Sequence, residues 1–231
     1  MVTRAEEIFT PIRPGVLATE VSAQIRARIL DGSIAPGQPI KDSVLAETLG
    51  LSRSPVREAL RILEQRGLLR KSPNRPYEVV AFSDTDAEEL AMLRTAYESM
   101  AVHWLVEHDT DISALRDPLR DMTPVDDSEG EKARVVDADA RFHTTLIELT
   151  GLPRLIASYT AICDQIALML SGGRLKRYEL VRTQRERHDH LYRLLVAAQD
   201  SRDATDVVAA LASHIRGGMG LPLDGVDEPA P

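Results

Sequence analysis

The sequence predicts a mainly α-helical protein with two domains, an N-terminal winged helix-turn-helix and a C-terminal all-helical bundle. Two observations support this fold class. Apolar residues recur at helical spacing along most of the chain. The only stretch with strand character, residues 68–82, follows three short helical segments, and no convincing strand comes after it. A chain of 231 residues is long enough for two modest domains that each bury a core.

The N-terminal part divides into an arm and three helices. Residues 1–15 contain two prolines and little periodicity, which predicts a flexible arm. Apolar residues then follow helical spacing until Asp31-Gly32 ends the first helix. Two shorter helices follow, over residues 43–49 and 54–64. We expect Ser54 to be the N-cap of the last one, with Pro55 at a position where its missing N–H costs nothing.

A β-hairpin is predicted directly after these helices. Residues 68–72 and 77–82 have strand character and are joined by Pro73-Asn-Arg-Pro76. Three helices followed by such a hairpin form a winged helix-turn-helix, with the hairpin as its wing. We assign this domain to residues 16–82.

The remaining residues predict a helical bundle over 83–217, followed by a disordered tail over 218–231. Thr85 and Glu88 fit a capping box at its start. The acidic stretch 122–129 is interpreted as a mobile loop. Helices are expected over residues 86–107, 112–121, 131–150, 153–171, 174–198 and 203–216.

Charge is divided unevenly between the two domains. Residues 1–80 carry twelve Lys and Arg against nine Asp and Glu, and the remainder carries sixteen against twenty-seven, for a net charge of −8. A mildly basic module fused to an acidic one is compatible with nucleic-acid contact. No apolar run approaches the roughly 20 residues of a membrane span, and the N-terminus lacks the pattern of a secretory signal. Cys163 is the only cysteine, so we expect a cytoplasmic protein with no disulfide and a packed thiol.

The third helix predicts a DNA-reading surface. Its apolar positions form one buried stripe, which leaves Ser54, Arg57 and Arg61 on another face, with Arg53 just before the helix. Serine hydroxyls and helix N-terminal amides suit phosphate oxygens, and arginine suits the O6/N7 edge of guanine. Lys71 and Arg75 of the hairpin, indicated by their charge, would reach the backbone or the minor groove. The alternative is a solvated charged face, but the order of helix, turn, capped helix and basic hairpin favours DNA.

The N-terminal domain resembles the GntR family of bacterial transcription regulators. The matching residues are Gly32-Ser-Ile-Ala-Pro-Gly37, Leu45-Ala46, Leu51-Ser-Arg-Ser-Pro-Val-Arg-Glu-Ala-Leu60, Leu63-Glu64 and Gly67-Leu68. The resemblance implies operator contacts by Ser52, Arg53, Ser54 and Arg57, and insertion of the wing tip into the minor groove. At that tip Asn74 replaces the usual glycine, and asparagine tolerates positive φ better than most residues. Ser43 stands where some relatives have a DNA-contacting arginine.

Polar residues interrupt the apolar stripes of the helical domain. Asp139 and His143 lie one turn apart on a stripe with Val136, Leu146 and Ile147. Because an unpaired buried carboxylate is costly, something must compensate it. Two later stripes contain the further imidazoles His188 and His214. One carboxylate and three imidazoles suit a divalent ion such as Zn, Ni, Mn or Fe; the alternative is a buried Asp–His network without metal.

This domain is similar to the FCD subgroup of the same family, through Asp139, His143, His188 and His214. The resemblance implies that these residues hold a divalent metal, which can bind a carboxylate effector; zinc is our first choice for this metal. In the family a glutamate usually precedes the third histidine, whereas here it lies in Arg187-His-Asp-His190. His190 is therefore an alternative ligand, and we prefer His188 because the following leucines then keep the expected register.

Arg94 is the other polar residue on an apolar stripe, which includes Leu90, Leu93, Tyr97 and Ala101. A buried guanidinium could pair bidentately with an effector carboxylate, so Arg94 and Tyr97 are our candidate effector-binding residues. The family has matching arginine and glutamate residues at the positions of Arg94 and Glu98. The alternative is an Arg94–Glu98 salt bridge.

Together these features predict a ligand-responsive transcription regulator, a repressor that binds a two-fold operator as a homodimer. A small organic acid at the metal would control DNA binding. Two alternatives remain at this point, a metalloenzyme and a metal-free sensor. Against the enzyme, the sequence shows no obvious general base, nucleophile or second carboxylate beside the metal motif.

Overall fold

A computed structural model of the chain describes residues 16–126, 128–170 and 178–222. The chain divides into two compact units, with the boundary between Val80 and Ala81. The predicted fold class is confirmed: the described residues are mainly helical, with one small sheet in the first unit. Residues 1–15, predicted as an arm, lie outside the described part.

The first unit contains three helices, α1 (Val16–Leu30), α2 (Asp42–Leu49) and α3 (Arg53–Gln65). Gly50, with φ of +63°, turns the chain between α2 and α3. The prediction of Ser54 as N-cap is wrong, because Ser52 has the extended backbone of the cap position. Pro55 is still tolerated in the first turn, where no N–H has an intrahelical partner.

Three short strands form an antiparallel sheet, β1 (Pro39–Ile40), β2 (Leu69–Lys71) and β3 (Tyr77–Val79), with β3 in the centre. The predicted hairpin is present but shorter. The strand β1 was not predicted, because two residues carry no detectable alternation. In the wing turn Arg75 N donates to Ser72 O over 3.1 Å, and Asn74 adopts φ of +59° after Pro73, as in a type II turn.

The predicted stripe of α3 packs inward. Its four apolar members are fully buried, and they pack with the buried face of α1. These residues are Val56, Ala59, Leu60 and Leu63. The opposite face of α3 therefore points away from this core.

The second unit is a bundle of six helices within the described residues. They are α4 (Asp84–Glu107), α5 (Arg116–Asp121, after a 3-10 turn over Ser113–Leu115), α6 (Glu129–Glu148), α7 (Pro153–Met169), α8 (Tyr178–Ser201) and α9 (Thr205–Gly218). The bundle surrounds one apolar core that includes Leu105, Phe142, Leu195 and Leu211. None of the helices described is both long and apolar enough to cross a membrane.

Both ends of this bundle differ from the prediction. The capping box at the start of α4 uses Ser83 and Asp86, which bond reciprocally, so the assignment to Thr85 and Glu88 is wrong. At the other end, the disordered tail was predicted to begin too early. Gly218 is still helical, and Met219 and Leu221 are buried because their apolar side chains pack on the core. Residues 223–231 lie outside the described part.

The first and last helices of the bundle are joined directly. Arg216 of α9 donates to Glu88 of α4 over 3.1 Å. Two stripe assignments need correction: Val136 and Leu93 are exposed, whereas Val135 is buried. An ideal helix turns 100° per residue, so a stripe drawn one position off places its edge residues in solvent.

Candidate DNA-binding surface and metal centre

The residues predicted to contact DNA form an exposed surface on the first unit. All eight side chains are exposed, on the start of α3 and on the wing: Ser52, Arg53, Ser54, Arg57, Arg61, Lys71, Asn74 and Arg75. Their contacts within the protein are weak. Arg57 Nε lies 3.8 Å from Asp42, Arg61 pairs with Glu58 at 3.2 Å, and Lys71 Nζ lies 4.8 Å from the centre of the Tyr77 ring. Exposed ion pairs contribute about 0–1 kcal/mol, so these cations are available to an external anion.

Four buried side chains of the second unit converge on one point. Asp139 and His143 come from α6, His188 from α8 and His214 from α9. One ligand atom from each lies within 4.8 Å of every other. The structure thus brings together the four residues predicted to bind metal. His190 is exposed, because two positions along α8 rotate its side chain to another face.

Hydrogen bonds determine which nitrogen each histidine presents to this point. His143 Nδ1 lies 2.6 Å from Glu98 Oε2, and His188 Nδ1 lies 2.8 Å from the carbonyl oxygen of Gln184. A carboxylate and a carbonyl only accept, so each Nδ1 must carry the proton. In the neutral rings, both Nε2 atoms therefore present lone pairs.

These lone pairs face each other at short range. His143 Nε2 lies 3.2 Å from both His188 Nε2 and His214 Nε2, and His188 Nε2 lies 3.1 Å from Asp139 Oδ1. Two ligands bound to one ion at about 2.0–2.1 Å are separated by roughly 3.0–3.4 Å. The spacing and the donor set therefore fit a divalent cation.

Burial opposes the alternative, in which a proton neutralises the cluster. Desolvation, and then the Arg94 charge, lower the pKa of His143, and desolvation with the other histidines holds the pKa of His214 well below its usual value. Burial alone would raise the pKa of Asp139, but His188, His143 and Arg94 together hold it below its ordinary range. An ionised Asp139 beside neutral His143 and His214 is the protonation state that a metal needs.

A second carboxylate, Glu98 of α4, contacts His143 on the side of its ring that faces away from the other cluster residues. It is fully buried and accepts from Arg94 Nε at 2.8 Å, Tyr159 Oη at 2.8 Å and His143 Nδ1 at 2.6 Å. Burial would raise its pKa, but His143 and Arg94 lower the pKa to about 2. The expectation of no second carboxylate beside the motif is wrong. The i,i+4 spacing between Arg94 and Glu98 could have indicated that Glu98 lies on the same inward face, but we had interpreted this spacing only as a salt bridge.

Of the two alternatives for Arg94, the structure shows the salt bridge with Glu98. Its Nε is paired with Glu98, and the residue also lines a cavity with Asp139, Gln184 and His214. The cavity measures about 20 Å³, room for about one water molecule. Tyr97 lies elsewhere: it is half-buried, does not line this cavity, and packs edge-on against Tyr159.

Gln184 is a cavity residue that sequence reasoning missed. It is buried, and its side-chain Oε1 has no hydrogen-bond partner. It precedes His188 by one helical turn, and this spacing could have identified it as a neighbour of the metal motif.

Comparisons with known proteins match both units. The family model for bacterial regulatory proteins of the gntR family matches residues 17–79, and the FCD domain model matches residues 89–217. The chain is 26% identical to the uncharacterised regulator YdhC of Bacillus subtilis over 129 residues, 55% of this chain and 58% of that protein. The chain thus spans little more than half the length of YdhC.

Two further relatives are matched over most of their length. The HTH-type transcriptional regulator McbR of Escherichia coli is 26% identical, over 81% of this chain and 84% of McbR. The transcriptional repressor NanR of Cronobacter sakazakii is 26% identical, over 89% and 85%. The solved structure of McbR superimposes with a TM-score of 0.67 at 23% identity, covering 88% of this chain and 95% of McbR, and supports the fold alone.

Proposed function

Because the chain belongs to the gntR family of bacterial regulatory proteins and carries an FCD domain, we propose that this DNA-binding transcription regulator is a metal- and acid-responsive repressor. The observation that carries the proposal is the convergence of bare imidazole nitrogens and a carboxylate beside a buried arginine. The relatives are transcription regulators rather than enzymes, and NanR is named a repressor. We expect the protein to act in the cytoplasm, where operator DNA would lie.

Operator binding is assigned to the exposed surface of α3 and the wing. The N-terminal turn of α3 offers Ser52 and Ser54 to phosphates, and Arg53, Arg57 and Arg61 to phosphates or guanine edges. Lys71, Asn74 and Arg75 would lie against the backbone or in the minor groove. Members of this family act as dimers, and a homodimer requires a two-fold operator.

The metal would be held by Asp139, His143, His188 and His214. Once bound, the ion provides a Lewis-acidic position for an oxygen of a ligand. Zn is our first choice because imidazole and carboxylate ligands suit it, while Ni, Mn and Fe accept the same set. The protein itself supplies the orientation, because Glu98 and the Gln184 carbonyl fix the rings of His143 and His188.

A small carboxylate would bind between this centre and Arg94. The Arg94 guanidinium lines the same cavity as Asp139 and His214, so it can pair with an anion there. The cavity has room for about one water molecule, not for an organic acid. Acid binding must therefore displace a wall, and it favours a conformation other than this one. A difference in affinity between two conformations is what a switch requires.

The geometry gives little support to the alternative hypothesis, that the helical domain is a metalloenzyme. The additional carboxylate, Glu98, contacts Nδ1 of His143, on the opposite side of the ring from the cluster. Its position suits orientation of a ligand and not proton transfer at the cavity. A metal-free sensor remains the outcome to be excluded by experiment.

The test combines metal analysis with DNA binding. Elemental analysis of full-length protein purified without added metal should find close to one divalent ion per chain. Operator DNA selected from a random pool should be two-fold symmetric, and small carboxylates should lower its affinity only for the metal-loaded protein. Sub-stoichiometric metal that soaking does not restore would establish the metal-free sensor, and steady product formation from an acid would establish an enzyme.

A further inference from the structure

The cavity beside the metal cluster contains a buried hydrogen-bonding group without a partner. Gln184 is 9% exposed, and its Oε1 accepts no hydrogen bond. Its backbone carbonyl accepts a hydrogen bond from His188 Nδ1. The side chain takes no part in that contact, so it can be replaced without removing the hydrogen bond to His188. A buried acceptor without a donor destabilises the protein, and such groups call for an explanation.

The other walls of the cavity define what a ligand must offer. Arg94 provides positive charge, Asp139 and His214 belong to the metal cluster, and Val136, Leu170 and Gly218 offer no polar side chain. Outside the metal cluster, Gln184 is thus the one neutral polar side chain among the described residues that line the cavity. A ligand can pair its carboxylate with Arg94 and still leave the Gln184 amide without a hydrogen bond. Only a ligand that also carries a hydrogen-bond donor provides a partner for Gln184 Oε1.

We propose that Gln184 determines specificity, and that the effector is a small carboxylate that also carries a hydroxyl group. This inference rests on the proposed function, since it names the class of acid that binds at the same site. A hydroxyl both donates and accepts, so it matches the amide whichever way the Oε1 and Nε2 atoms are placed. An amino group, which is cationic at neutral pH, matches one orientation only and is repelled by Arg94.

We expect strong selectivity for hydroxy acids, because an acid without the hydroxyl loses affinity by leaving a buried amide unpaired. An acid without the hydroxyl buries the amide and leaves it unpaired, whereas the hydroxy acid restores its hydrogen bond. The smallest pair that differs in this single group is acetate and glycolate, and propionate and lactate form the next pair. We expect the hydroxy acid to bind at least about tenfold more tightly in each pair.

The experiment is calorimetric titration of the metal-loaded, full-length protein with each of the four acids and with glycine. The Gln184→Met variant keeps the length of the side chain and removes its amide. It should bind acetate at least as well as the wild type and should lose the preference for glycolate. Gln199→Met is the matched control: Gln199 bonds the carbonyls of Leu105 and Thr110, away from the cavity, so its loss should leave the ratio of affinities unchanged.

The outcomes separate this inference from the proposed function. Equal, metal-dependent binding of acetate and glycolate to the wild type would retain the acid sensor and overturn the role of Gln184. A preference that persists in Gln184→Met would also overturn it. If no acid binds, or if binding does not require metal, the proposed function fails and the inference fails with it. The comparison in the wild type needs no variant to fold.

Discussion

His143 donates from Nδ1 to Glu98 over 2.6 Å, which leaves its Nε2 facing the other ligands of the cluster. The same carboxylate also accepts from Arg94, the cation that we assign to the effector. A single buried side chain thus links the orientation of a metal ligand to the position of the effector-binding arginine.

Removing the charge of Glu98 should weaken metal binding. Glu98→Gln can still accept from His143, but the neutral amide supports the imidazole less, and loss of such a partner typically costs about 10–100-fold in metal affinity. Competition with a chromophoric chelator measures the affinity, and the Co²⁺ absorption spectrum reports the ligand geometry. Glu88→Gln, on the same helix but paired with Arg216, is the control that should leave both unchanged. Identical affinity in Glu98→Gln would show that Glu98 has only a packing role.

Metal should stabilise the wild type through Asp139. At a free metal concentration one hundred times Kd, binding contributes about 2.7 kcal/mol, or roughly 5–10 °C in Tm for a domain of this size. Asp139→Asn keeps the shape but removes the anionic ligand, so its Tm should not respond to metal. Asp137→Asn, an exposed neighbour paired with Arg141, should respond like the wild type. A full metal response in Asp139→Asn would remove that residue from the ligand set.

Acid should destabilise the metal-free protein between about pH 7 and pH 5. Burial lowers the pKa of His143 and of His214 in the folded state, whereas the unfolded chain takes up protons below about pH 6.5. The unfolded state then binds more protons, so the free energy of unfolding falls as the pH falls, by up to about 1.4 kcal/mol per histidine per pH unit.

Urea unfolding followed by circular dichroism at pH 7 and pH 5.5 tests this sign. His103→Gln, at an exposed position, should leave the pH dependence unchanged, and His214→Gln should reduce it. Greater stability at the lower pH would mean that the cluster is protonated in the fold. Glu98 adds no pH dependence between pH 7 and pH 5.5, because its pKa is held at about 2 and its contribution to stability is lost only below about pH 4.5.

Arg57→Ala should reduce specific operator binding while the fold is kept. The side chain is exposed and only weakly tied to Asp42 at 3.8 Å, so its removal leaves the core of α3 intact. Loss of a bidentate contact to guanine costs about 1–3 kcal/mol. A gel-shift assay at fixed salt measures the change, and Arg28→Ala, at an exposed position of α1, is the matched control. Unchanged binding in Arg57→Ala would refute the assignment of α3 as the reading helix.

Cys163 should react slowly with thiol reagents. Its side chain is half-buried, Sγ donates to the carbonyl of Tyr159 at 3.3 Å, and burial raises the pKa of the thiol to about 11. Little thiolate is present at pH 8, so labelling of the native protein should lag far behind labelling in urea. Rapid native labelling would show that α7 opens readily around this position.

The periodic parts of the fold were predictable, and the irregular parts were not. Helices such as α1 and the buried stripe of α3 repeat apolar residues over several turns, so their pattern is redundant. The strand β1 has two residues, and the cap at Ser52 depends on a backbone angle, so neither leaves a pattern in the sequence.

The same distinction applies to the metal centre. Asp139, His143, His188 and His214 could be singled out because a polar residue on an apolar stripe contradicts its surroundings. Glu98 and Gln184 could not be assigned roles in this way. Glu98 accepts a hydrogen bond from His143, and the Gln184 carbonyl accepts one from His188. These contacts depend on how α4, α6 and α8 pack together, which the sequence pattern does not give.

The ion pair between Glu88 and Arg216 has a consequence for synthesis of the protein. It joins the first helix of the bundle to the last, so this contact can form only after α9 has left the ribosome. The contacts of the winged domain lie within its own short stretch of sequence, and such domains fold as units during translation. A nascent chain should therefore present a finished DNA-binding domain before any effector can restrain it.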